Sequence, residues 1–74
     1  ADTDPEEMML MKEVVDYLKA NERNLFSNLE NEIWNQMLKG RNYREIAMAM
    51  GCSAKTVDNA IQRIKKKIQI FLEE

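Results

Sequence analysis

The sequence predicts an all-α fold, a compact four-helix domain with a C-terminal helix-turn-helix, and three observations carry that expectation. Apolar residues recur at helical spacing through most of the 74 residues, and no stretch alternates as a strand would. Helix starts are marked at Asp4-Pro5, at Ser27-Asn28-Leu29-Glu30 and at Asn42-x-x-Glu45, each pairing a capping side chain with an acid three residues on. Both glycines, Gly40 and Gly51, fall just after an apolar-periodic run, where a helix needs a residue that accepts a left-handed conformation.

The first helix opens with Asp4 as cap, Pro5 at the first helical position and acid at the positive end of the dipole. It runs to about Ala20, because Asn21-Glu22-Arg23-Asn24 interrupts the pattern. Met8, Met11, Val15 and Leu18 form one stripe, and Met9, Leu10, Val14 and Tyr17 widen it beyond what one packing face requires. Two readings stand: a wide core contact, or a docking surface built on the flexible side chains of Met8, Met9 and Met11.

The second helix opens at the Ser27 to Glu30 capping box, turns Leu29, Ile33, Trp34, Met37 and Leu38 inward, and ends at Gly40. Asn42 caps the third, a short helix whose Ile46 and Met50 flank a small Ala47, and Gly51 turns the chain. Ser53 caps the fourth, from Ala54 to about Leu72. Two helices joined by three residues around a glycine cross steeply, so the helix-turn-helix spans about 43–67. On the last helix Val57, Ile61, Ile64, Ile68 and Phe71 advance alternately by four and three residues and share one face.

At this length the chain forms a single domain over residues 1–74, and its start at Ala1 without a Met leads us to expect a fragment of a longer chain. No apolar run approaches the roughly 18 residues of a membrane span, so no membrane partner is expected. A lone Cys52 has no internal disulfide partner and fits a reducing, cytoplasmic setting; in the turn it reads as a packing residue. The absence of His, of a phosphate-cradling Gly loop and of metal-ligand spacing argues against an enzyme, a cofactor or a metal site. The net charge of -2 argues mildly against nucleic acid until the chain is divided. Residues 1–34 hold three basic and nine acidic residues, whereas residues 35–74 hold eight basic and four acidic, so the positive half is the half with the helix-turn-helix.

The polar face of the last helix holds the side chains that read base edges. An α-helix fits the major groove, where Asn or Gln pairs bidentately with adenine and Arg or Lys with guanine. Lys55, Thr56, Asn59, Gln62 and Arg63 are the candidate readers, and Asp58 either accepts from a cytosine amino group or pairs with Lys55. Candidate phosphate contacts are Arg41 and Arg44 beside the start of the third helix, Ser53 at the cap of the fourth, and Lys66. Lys65, Lys66 and Lys67 point about 100° apart around the helix, so at most two of them reach one backbone.

Three segments resemble region 4 of RNA polymerase sigma factors of the sigma-70 family, nearest to the sporulation-type sigma-H branch. They are Ser27-x-Leu29-Glu30-x-Glu32, Gly40-Arg41-x-Tyr43-x-Glu45-Ile46-Ala47, and Lys55-Thr56-Val57-Asp58-Asn59-Ala60-Ile61-Gln62-Arg63. The resemblance implies sequence-specific binding of the promoter -35 element in double-stranded DNA by the last helix during transcription initiation. It also implies docking of the first helices on the flap of the RNA polymerase β subunit, and it leaves room for an anti-sigma factor, which the sequence itself does not specify. Principal sigma factors tend to carry several Arg residues where Ala54, Thr56, Val57 and Asp58 stand here, so a housekeeping -35 preference is not expected. The Glu-Ile-Ala, Gly and Thr-Val spacing is also similar to the DNA-binding effector domain of LuxR-type response regulators, the alternative within DNA binding. A helical protein-interaction module is the alternative outside it, supported by the acidic front half and by Ile70, which lies off the core face.

Overall fold

The computed structural model describes residues 4–73, so the expected domain limits at Ala1 and Glu74 lie outside the described residues. Four helices follow one another: α1 (Pro5–Ala20), α2 (Asn28–Leu38), α3 (Tyr43–Met50) and α4 (Ala54–Glu73). The caps expected from sequence set their starts. The Asp4 side chain accepts from the Glu6 N–H at 2.8 Å. Ser27 and Glu30 form a reciprocal box, with Glu30 N–H to Ser27 Oγ at 3.2 Å and Ser27 N–H to Glu30 Oε1 at 3.0 Å. The Asn42 and Glu45 box closes at 2.8 and 3.0 Å.

Gly51 ends α3 with φ 68 and ψ 33, the left-handed conformation that reverses the chain into α4. The Cys52 N–H then donates to the Ala47 carbonyl at 3.0 Å, and Cys52 sits half-buried against the core as a packing residue. Ser53 opens α4 by accepting the Thr56 N–H at 3.1 Å.

α4 is the element against which α1, α2 and α3 all pack. Its Val57, Ala60, Ile61, Ile64 and Ile68 are buried, the first four completely. Burial of each large aliphatic side chain contributes about 1.5–3 kcal/mol, so this face fixes which side of α4 looks outward. Met11, Val14, Val15 and Leu18 from α1, Ile33, Trp34 and Met37 from α2, and Ile46 and Ala47 from α3 complete the core, with Phe26 from the α1–α2 connection. Phe71 is only partly buried and closes the far end, 6.0 Å from the Tyr17 ring and under the Arg23 guanidinium at 5.1 Å.

Two expectations are corrected. Leu29 and Leu38 do not line the inner side of α2; they are 39% and 41% exposed, and the inward position one residue after Leu29 is held by Glu30, at 2%. Met11 does not belong to a docking surface, because it is buried in the core, whereas Met9 is 68% exposed and Met8 half-buried. The excess apolar surface of α1 is thus only partly core: Met11 and Val14 pack inward, and Met9, Leu10 and Tyr17 remain outside.

Candidate nucleic-acid interface

The outward side of α4 follows from the burial of the other. Lys55, Thr56, Asn59, Gln62, Arg63 and Lys66 are all exposed along it, and Asp58 is half-buried at its edge. The exposed Asn59 and Gln62 side chains make no hydrogen bond among the described residues, so both amides keep donor and acceptor available. No ion pair joins Asp58 to Lys55 among the described residues. At the helix start the Ser53 and Thr56 hydroxyls lie 2.9 Å apart and share a hydrogen bond, which orients both at the mouth of the turn.

The domain's own carboxylates claim part of the basic surface. Lys65 pairs with Glu7 of α1 at 3.0 Å, and Lys67 with Glu30 of α2 at 2.6 Å. Of the three consecutive lysines only Lys66 is exposed without an internal carboxylate partner among the described residues, in keeping with the geometric limit set by their angular spread. Arg63 Nε also donates to Glu30, at 3.1 Å, yet the Arg63 side chain stays 52% exposed. Arg41 is held by a hydrogen bond to Gln36, while Arg44 is exposed on the first turn of α3. That turn is less open to an anion than its dipole alone implies, since the Glu45 carboxylate lies across it and the Asn42 side chain occupies one of its donors.

Sequence reading places Glu30 in a capping box but misses its burial and its pairing with α4. Burial alone pushes its carboxyl up, but hydrogen bonds from Lys67, the Ser27 backbone and Arg63, with the charge of Lys67, outweigh burial and hold it below its ordinary value of 4.5. The signal was present: Glu30, Ile33, Trp34 and Met37 fall at helical core spacing, and only the charge of the first argued against placing it inward.

A buried aliphatic face, a left-handed glycine turn and an exposed stripe of amides and cations form a helix-turn-helix whose second helix is free to enter a groove. The model of the GerE family, described as bacterial regulatory proteins of the luxR family, matches residues 24–71. The chain belongs to this family. The luxR-type match takes in α2, α3 and most of α4 and leaves α1 outside.

The relatives extend further. The RNA polymerase sigma-H factor of Bacillus subtilis (strain 168) is 38% identical over 69 residues, covering 93% of this chain and 32% of that protein. The sigma-H factor of Bacillus licheniformis is 36% identical over 69 residues, covering 93% of this chain and 31% of that protein. The transcriptional activator protein ExpR of Dickeya dadantii (strain 3937) is 38% identical over 53 residues, 72% of this chain and 21% of that protein. No solved structure matches. This chain spans about a third of the length of the sigma-H factors.

The resemblance to the sigma-H branch that the motifs implied is borne out, and the luxR-type likeness weighed beside it is found as well. An alignment of 69 residues within 74 has to take in most of α1, so the sigma-H likeness includes the helix that the luxR-type match omits. No helix among the described residues is long and apolar enough to cross a membrane.

Proposed function

We propose that this chain is the promoter-reading domain of an RNA polymerase sigma factor, with α4 in the major groove of the -35 element and α1 on the flap of the polymerase β subunit. The observation that carries the reading is α4 itself, with Val57, Ala60, Ile61 and Ile64 fully buried and Asn59, Gln62 and Lys66 exposed on the reverse. Lys55, Thr56, Asp58, Asn59, Gln62 and Arg63 are the base-reading set, and the amides have adenine as their natural partner. Arg44 and Lys66 contact phosphates directly. Arg41 does so after releasing Gln36, and Ser53 acts mainly by orienting Thr56.

Docking on the polymerase falls to Met9 and Leu10, with Met8 at the edge, because these apolar side chains of α1 are left outside the core. An anti-sigma factor would act by covering this surface or the face of α4.

The sigma reading is tested by capture of the chain on immobilised polymerase flap, with Met9→Glu as the control that should release it. Failure of the wild type to bind the flap would leave the luxR-type effector reading, which the family match favours and which needs no polymerase contact through α1. Salt titration on duplex tests what both readings share: affinity should fall steeply with salt while one sequence stays preferred over its scramble.

A further inference from the structure

Glu30 is the one buried charged residue among the described residues, and its position is overdetermined. Its own N–H donates to Ser27 Oγ, and its Oε1 receives the Ser27 N–H at 3.0 Å and Lys67 Nζ at 2.6 Å. That leaves Oε2 facing Arg63, whose Nε it accepts at 3.1 Å. A guanidinium is planar, with five N–H donors in a fixed fork, so a hydrogen bond at Nε fixes the plane while leaving the outer donors to other partners. Arg63 is over half exposed although one of its nitrogens rests on a carboxylate that is 3% exposed.

Resting on the reading of α4 as the DNA-reading helix, we propose that Glu30 is a positioning residue that grips the inner edge of Arg63 and presents its outer edge to acceptor oxygens or nitrogens on the duplex. Two cations share one carboxylate, so the cluster keeps a net positive charge toward DNA. Arg63 is also ordered before binding, which removes part of the entropy cost of fixing a long side chain at the interface. The opposite arrangement, a carboxylate that withholds Arg63 from DNA, predicts the opposite sign of effect.

The test is Glu30→Gln, titrated against a duplex selected by the wild-type chain from a random pool and against its scramble. Removing a negative charge close to DNA should by simple electrostatics strengthen binding. The positioning role predicts instead that affinity for the selected duplex falls about fivefold to tenfold. A loss confined to the selected duplex assigns the outer edge of Arg63 to a base, and an equal loss on the scramble assigns it to a phosphate. In an Arg63→Ala background, Glu30→Gln should cause no further loss.

Arg63→Lys, an exposed change that keeps the charge but has no Nε to be gripped, should lose as much and serves if Glu30→Gln fails to fold. Tighter binding of both duplexes by Glu30→Gln, full affinity of Arg63→Lys, or an undiminished Glu30→Gln loss without Arg63 would each overturn the proposal. No binding of any duplex by the wild type would overturn the DNA-binding reading itself, and the proposal with it.

Discussion

Replacing Gly51 with Ala isolates the backbone cost of the turn between α3 and α4, because the structure removes the usual steric objection. A Cβ built at Gly51 meets nothing within 4 Å, so no neighbour has to move. What remains is the conformation, φ 68 and ψ 33, which costs an L-residue about 1–2 kcal/mol. Against this, Ala has fewer unfolded conformations than Gly, worth about 0.4–1 kcal/mol in the other direction. The net expectation is a loss of about 1 kcal/mol, or about 4–8 °C in melting temperature for a domain of this size.

Gly51→Asn should cost less, since Asn visits the left-handed region more readily, and Gly51→Val more, because its branched Cβ resists that region. Thermal melting followed by circular dichroism decides the matter. An Ala variant as stable as the wild type, or a Val variant no worse than Asn, would refute the assignment of the cost to backbone conformation. Duplex affinity per folded molecule should be unchanged by Gly51→Ala, since the substitution leaves the face of α4 intact.

Asn59→Ala and Gln62→Ala should each reduce preference for the selected duplex by about 1–3 kcal/mol with melting within about 0.5 kcal/mol of wild type; equal losses on scrambled DNA would argue against base reading. Lys66→Ala should weaken all duplexes alike and make the salt slope shallower by about one charge, and an unchanged slope would remove it from the phosphate contacts. The depressed carboxyl of Glu30 makes stability depend on acid: its contribution is complete above the ordinary value of 4.5 and is lost as pH falls through the lower folded-state value. Melting measured from neutral pH down through this range should show a smaller acid loss in Glu30→Gln than in wild type, and identical profiles would place the acid sensitivity elsewhere.

Helix starts and the outward face of α4 were legible because each is written in neighbouring residues. The Ser27 and Asn42 boxes are local hydrogen-bond patterns, and the buried set Val57, Ile61, Ile64 and Ile68 is a local periodicity. The spacing of Glu30 with Ile33, Trp34 and Met37 points it inward, but its charge overrides that signal in the sequence because the compensating Arg63 and Lys67 lie more than thirty residues away. Hydrophobicity alone points Leu29 inward; a turn of about 100° separates it from Glu30, and the core takes the residue in register with Ile33, Trp34 and Met37. The same long-range pairing decides which cations remain for DNA, so Lys65 and Lys67 became distinguishable from Lys66 only once Glu7 and Glu30 were in place.

α4 continues for 20 residues without a break, about 30 Å at the ordinary helical rise. Its first turns carry Lys55 and Asn59, and its last turns lie beside α1, where Lys65 meets Glu7 and Phe71 meets Tyr17. One stiff strut thus joins the two surfaces assigned to different macromolecules. Under the proposed docking, a tilt imposed at α1 would be carried to the end that bears Lys55 and Asn59 instead of being absorbed at a hinge, and spin labels at the two ends should report the same rotation.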